Sequence, residues 1–306
     1  MSLALLCSGQ GQQSRDMFDL VANAPEARTV LQCAGIGLGA DPADFCRNAS
    51  ESALHANREG QILCVARALA VAAALFPAGA QSETLVAGYS VGEMAAWGLA
   101  GVWSIEDTLM LVDRRARAMD AASGPHDQLG YVRGLSRQAV ERLATRFDCA
   151  IAIVNPALLF IIGGSQASIE ALCAHALEDG ATRAAPIRVH VASHTAHVAA
   201  AVAPFFEALA AIAPRRPRLR LLSATGPALV TDPSPALKGL ARQLAEPIDW
   251  ADALETLAER GVTQVLELGP GHALAEMAAA ALPWAKVRAV DDFCSIGGIK
   301  RWLGTR

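Results

Sequence analysis

Aromatic side chains are scarce in this sequence: Phe, Trp and Tyr together make up 5% of it, with only two tyrosines. Alanine is abundant, so small side chains must fill much of any core. Charged residues are also few, at 18%, against 53% hydrophobic. That balance excludes a disordered chain. No block of like charge occurs and the formal net charge is only −4, so nothing points to nucleic acid as a partner. The seven cysteines (Cys7, Cys33, Cys46, Cys64, Cys149, Cys173 and Cys294) are scattered and never spaced C-x-x-C. That scatter argues against a structural zinc site and a disulfide framework, and a reducing cytoplasm is expected. No long apolar run exists either. The most apolar helical stretch, ILCVARALAVAAALF at 62–76, contains Arg67 and is too short for a bilayer. The start, MSLALLCSGQG, lacks the basic segment of a secretory signal. Tandem repeats and low-complexity segments are absent.

A chain of 306 residues suits one large domain or one domain with an insert. Four short apolar runs end in glycine or a turn: LALLCSGQG (3–11), TLVAGYS (84–90), RLRLLSATG (218–226) and TQVLELGPG (263–271). Runs apolar on both faces are what a buried parallel sheet requires. Helical patterns lie at 60–76, 92–100, 105–121, 197–212, 236–245 and 250–260. The alternation predicts an α/β domain whose sites lie beyond the C-terminal ends of the strands. Residues 126–190 read differently. QLGYVRGL, AIAIVN, LLFIIGG and ATRAAPIRVHV read as strands. Between them lie a helix capped by Ser136 and a second running from Ser165 to Gly180. The order β-α-β-β-α-β predicts a ferredoxin-like subdomain. The expected division is therefore 1–125 with 191–306 as core, and 126–190 as insert.

VAGYSVGEMAAW at 86–97 reads as strand, sharp turn, helix, with Ser90 centred in a G-x-S-x-G. An ordinary serine hydroxyl is a weak nucleophile that needs a base and oxyanion donors. The elbow supplies the geometry, and the Val91 N–H at the helix start can hold an oxyanion. A plain strand–helix turn is the alternative reading of the same pentapeptide. Of seven histidines, His194 in VHVASHTAHVAA follows an expected strand end near Val191, which suits a base. His190 is expected within that strand and His197 on the following helix. The turn Gly9-Gln10-Gly11 closes the first strand and offers a second N–H donor.

Taken together and in order, these segments resemble the malonyl-CoA:acyl carrier protein transacylase family, which includes the acyltransferase domains of polyketide synthases. SGQGQQ (8–13) is similar to P-G-Q-G-S-Q, and GYSVGE to G-H-S-L-G-E. LVDRRARAMDAA (111–122) is similar to L-V-x-x-R-G-x-x-M-Q-x-A, and VASHTAHV to V-P-S-H-C-A-L-M. Residues 242–274 follow the Q-L-x-x-P-V-x-W segment and the E-x-G-P-G turn. The resemblance implies an α/β hydrolase-like core with an inserted ferredoxin-like subdomain. It implies Ser90 as nucleophile, His194 as base, Gln10 and Val91 as oxyanion donors, and Arg115 as the grip on a malonyl carboxylate. Gln243 is implied as the residue whose main-chain carbonyl orients His194, with no metal and no permanently bound cofactor. Malonyl-CoA is the implied substrate and an acyl carrier protein the implied partner. PRRPRLR (214–220) is a candidate basic patch for an acidic carrier, or a solvated linker.

The chain departs from the family pattern at three places: Tyr89 stands for histidine, Ser8 for proline, and His197-Val198 for Leu-Met. VASH is also similar to the Y-A-S-H of methylmalonyl-selective polyketide domains. A specialised relative, serving a malonate decarboxylase or a polyketide pathway, is thus an alternative. The rival classes are a serine hydrolase or thioesterase, in which Arg115 is a mere surface residue, and a non-catalytic subunit that docks a carrier protein.

Overall fold

The structure, a computed structural model, describes residues 2–304. Its strands are β1 (Leu3–Cys7), β2 (Leu85–Gly88), β3 (Asp127–Arg133), β4 (Ala150–Asn155), β5 (Leu159–Ser165), β6 (Arg183–Pro186), β7 (Arg220–Leu222), β8 (Ile248–Asp249), β9 (Gln264–Glu267) and β10 (Lys286–Ala289). They form two sheets.

The larger sheet has the order β10-β9-β1-β2-β7, and every pairing in it is parallel. β1 lies at its centre, with Leu6 opposite Ala87 on one side and Glu267 on the other. Alternate residues of β1 enter opposite cores. Leu5 and Cys7 pack with the helix Asn57–Leu75, while Ala4 and Leu6 pack with Trp250 and Leu254. Burial on both faces is why these strands read as continuous apolar runs. The helix Asn57–Leu75 is buried on nearly every side and apolar for that reason. Among the described residues no helix is long and apolar enough to cross a membrane.

The smaller sheet has the order β6-β3-β5-β4-β8. Its first four strands are antiparallel, and β8, from the C-terminal part of the chain, joins β4 in parallel. Ser136 and Ser165 cap its two helices, Arg137–Arg146 and Gln166–Glu178, accepting from the N–H of Ala139 and Ser168. One face packs on those helices, Val132, Phe160 and Ile162 clustering with Val140, Leu143 and Ile169. The other face, through Leu129, Ile153 and Ile248, meets Leu85, Ala87 and Leu222 of the larger sheet.

Several elements differ from the sequence reading. The last expected strand of the 126–190 region stops at Pro186, which has no N–H for a ladder. His190 is therefore exposed and outside any strand. The helix expected over 197–212 opens as a 3-10 turn, Ala196–Ala201, with Val198 outside helical geometry, before the α-helix Val202–Ala210. β10 is an edge strand of alternating polarity, and so carries no apolar run in the sequence. Helices at Arg28–Leu38, Ala273–Ala281 and Ile296–Leu303 add to those the sequence pattern predicts.

Candidate active site

β2 ends at Gly88 and a helix begins at Gly92. Between them Ser90 holds a left-handed φ of 56°. A side chain on Gly88 would strike the backbone of Gly92, and one on Gly92 would strike the carbonyl of Cys7. Only glycine lets strand and helix approach this closely, and the turn lifts Ser90 clear of the sheet. Strain of this kind costs on the order of 1–3 kcal/mol and persists only where packing imposes it.

The Ser90 hydroxyl lies 2.8 Å from Nε2 of His194. His194 also has a positive φ, 62°. It sits in an irregular segment, not at a strand end, and is held there by residues 243–244. Its N–H donates to the Leu244 carbonyl at 2.7 Å, and its Nδ1 lies 2.6 Å from the Gln243 carbonyl. A carbonyl only accepts, so Nδ1 carries the ring proton and Nε2 presents its lone pair to the Ser90 O–H. Burial, reinforced by the charge of Arg115 and opposed by the Gln243 carbonyl, pushes the His194 pKa down to about 3. The imidazole is therefore neutral at pH 7, as a proton acceptor must be.

Behind His194 lies a buried acid to which sequence reasoning assigned no role. Glu93 accepts a hydrogen bond from the side-chain amide of Gln243. It also accepts from Ser223 Oγ at 3.0 Å and from Trp97 Nε1 and the Ala224 N–H, each at 3.4 Å. Burial raises its pKa to about 7. Glu93 stands three residues after Ser90 in the quoted GYSVGE, but only the fold shows that it meets Gln243.

Arg115 projects from the helix Ile105–Ala122 into the interior. Its Nη1 donates to Gln61 Oε1 at 2.6 Å, while Nη2 is buried with no partner among the described residues. Burial lowers its pKa to about 10, so it stays charged at neutral pH. A buried guanidinium with a free donor is poised for an anion, and carboxylate matches its fork best. Arg114 and Arg117 on the same helix are exposed, and Arg117 pairs with Asp113 at 2.7 Å.

The turn after β1 faces Ser90. Among the described residues neither the Gln10 N–H nor the Val91 N–H has an acceptor. The turn is held from behind, where Cys64 Sγ lies 3.3 Å from the Gly9 carbonyl and Gln10 Nε2 donates to the Asn57 carbonyl at 3.2 Å. In front of Ser90 and His194 opens a cleft of about 250 Å³ between the two sheets. Residues 8–12, Ser90 and His194 form its polar end, and Leu129, Ile153, Ile161, Ile187, Val189 and Met277 its apolar walls. Tyr89 also borders it, accepting from Asn155 Nδ2 at 3.2 Å and packing edge-on against Trp250. Arg115 is not in the cleft lining and lies deeper in the protein.

The other candidates fall elsewhere. His197 is partly exposed and 3.8 Å from Asp127. The basic run 214–220 leads into the start of β7, and β7 runs parallel to β2. It therefore sits at the opposite ends of the strands from Ser90. Among the described residues no three His, Cys, Asp or Glu side chains gather as metal ligands. The arrangement brings together a hydroxyl, a neutral base, two free N–H groups and a buried cation, which is the equipment of acyl transfer through a serine ester.

Comparison with known proteins agrees. The chain belongs to the acyl transferase domain family, whose sequence profile matches residues 4–301. It is 30% identical to the malonyl CoA-acyl carrier protein transacylase of Mycobacterium bovis, over 95% of this chain and 96% of that one. To the Haemophilus influenzae protein of the same name it is 26% identical, over 98% of each. Its fold matches the acyl-carrier-protein S-malonyltransferase of Burkholderia pseudomallei with a TM-score of 0.90 at 29% identity, covering 98% of this chain and 100% of that one. A malonyl-transacylase in complex with its type II PKS acyl-carrier protein superposes with a TM-score of 0.91 at 25% identity, over 100% of each chain.

Proposed function

We propose that this chain moves a malonyl group from coenzyme A to the phosphopantetheine thiol of an acyl carrier protein, through a malonyl ester on Ser90. One observation carries the reading: a serine–histidine pair stands at 2.8 Å, and the charge of a buried arginine, whose Nη2 has no partner among the described residues, bears on that histidine. Malonyl thioester is a small diacid with one end to be attacked and the other to be held. Ser90 Oγ attacks the thioester carbonyl as its proton passes to His194 Nε2. The oxyanion is held by the N–H groups of Gln10 and Val91. The C–S bond then breaks, and the coenzyme A thiolate takes the proton from Nε2. In the second half the carrier's thiol gives its proton to Nε2 and its sulfur attacks the ester. The Ser90 oxygen leaves and recovers the proton. Arg115 holds the free carboxylate throughout, and the apolar cleft takes the thiol-bearing arm. Gln243 orients His194 through its carbonyl, and Glu93 holds Gln243.

The chemistry draws on side chains and main-chain N–H groups and calls for no bound cofactor. The larger sheet, with 1–125 and 191–306, is read as a hydrolase-like core. The strand order β6-β3-β5-β4 supports reading 126–190 as a ferredoxin-like subdomain. The seven free thiols support a cytoplasmic setting.

Intact-mass measurement after incubation with malonyl-, methylmalonyl- and acetyl-CoA tests the reading. One malonyl mass on the peptide containing Ser90, lost in Ser90→Ala, is expected. A label on a cysteine instead overturns it.

A further inference from the structure

The polar end of the cleft holds a second buried carboxyl group that the mechanism above does not use. Glu267 ends β9, beside the end of β1. It is fully buried. One oxygen accepts from Ser8 Oγ at 2.7 Å, and the other accepts from the N–H of Ala275, also at 2.7 Å, in the first turn of the helix Ala273–Ala281. Ser8 is itself buried and immediately precedes Gly9 and Gln10. Both Ser8 and Glu267 line the cleft that holds Ser90 and His194. Asp291, a like charge engaged by Arg67 at 2.6 Å, bears on Glu267, and among the described residues no Lys, Arg or His forms an ion pair with Glu267.

We propose that Ser8 and Glu267 are a positioning pair for this reaction: their hydrogen bond fixes the turn that aims the Gln10 N–H at the reacting carbonyl oxygen. This rests on the reading of Ser90 as the acylated residue. The need for such a tie is physical. The turn contains Gly9 and Gly11, the latter at φ 123°, and glycine leaves backbone freedom that must be removed if a donor is to be preorganised. Where the similar motif carries proline, the ring fixes φ covalently. Ser8 has no ring, and its side chain instead anchors the turn to a carboxylate that is held in turn by a helix start. Burial raises the Glu267 pKa to about 7, so at pH 8 the group is ionised and the bond is charge-assisted, stronger than one between neutral groups. The Ser8 N–H has no acceptor among the described residues, so proline there removes no backbone hydrogen bond.

The test is the rate of malonyl-Ser90 formation at pH 8, followed by quenched-flow intact mass over a range of malonyl-CoA concentrations. Ser8→Ala, Glu267→Gln, the double variant and Ser8→Pro are compared with the unaltered chain. Losing an oxyanion donor outright costs about 10²–10³ in rate, so misaiming one is expected to slow acylation about tenfold in Ser8→Ala and in Glu267→Gln. The half-saturating concentration should stay unchanged. The double variant should be no slower than the slower single variant, because one shared bond is lost, and Ser8→Pro should recover most of the rate. Acylation at the unaltered rate in both single variants overturns the positioning role. So do multiplying losses in the double variant, or a loss confined to half-saturation. If the unaltered chain gains no label on Ser90, the acyl-enzyme reading itself falls and this one with it.

Discussion

Ser90 and His194 face each other at 2.8 Å, and both hold positive φ although neither is glycine. Each lies on a strained backbone that its surroundings impose, Ser90 through the crowded elbow and His194 through its two bonds to residues 243 and 244. The pair is thus set by the fold before any substrate arrives. His194→Ala should cost a factor on the order of 10² or more in acyl transfer. His197→Ala, altering a partly exposed ring, should cost little. The reverse ranking in a steady-state assay would reassign the base.

On the proposed reading, Arg115 sets the substrate class. Removing it leaves a bound carboxylate unpaired in a dry site, a loss of about 3–5 kcal/mol, or some 10²–10³ in kcat/KM for malonyl-CoA. Acetyl-CoA has no carboxylate and should lose little in Arg115→Ala. Arg115→Lys should recover only part, because the paired donors are gone. Arg114→Ala and Arg117→Ala change exposed side chains and serve as controls. Equal losses for both thioesters would make Arg115 structural.

Gly92 tolerates no side chain, because a Cβ there would meet the carbonyl of Cys7 in the central strand. Backbone on both sides cannot give way as a flexible side chain would. Gly92→Ala should destabilise the protein by roughly 1–3 kcal/mol or more. Thermal unfolding checks this, and an unchanged midpoint would contradict the close approach.

Glu93 and Glu267 should make stability fall as pH rises toward neutrality. Burial holds each at about 7, against an ordinary value of 4.5. Between those limits the folded protein keeps a proton that the unfolded chain has released. The stabilisation each provides is whole below about pH 4.5 and declines up to about pH 7, by at most ~1.4 kcal/mol per pH unit. His194 acts oppositely: held at about 3 rather than 6.5, it withdraws stability as pH falls through that window. Urea unfolding from pH 4.5 to 8 should show a shallower decline in Glu93→Gln and in Glu267→Gln than in the unaltered chain. Curves parallel to it would show that these carboxyls are not held protonated.

What the sequence determined by itself is what short-range physics controls. Apolar runs closed by glycine demand a sheet buried on both faces. Gly88 and Gly92 around Ser90 demand a tight strand–helix corner. Ser136 and Ser165 cap helices within four residues of themselves. Each of these follows from periodicity or sterics over a few positions. The tertiary structure alone decided what depends on distant segments meeting. His194 was expected at a strand end, yet its pose comes from carbonyls at 243 and 244, and the strand before it ends early at Pro186. Glu93 carried no signal of its link to Gln243, and Ser8 none of its bond to Glu267. The run 214–220 reads as either a basic patch or a solvated linker, and only the direction of β7 shows that it lies at the far end of the sheet from Ser90. Helix and strand periods are written into neighbouring residues. Which buried polar groups satisfy one another is settled only when the packed core brings together segments far apart in the chain and leaves each buried donor or acceptor few partners to choose from.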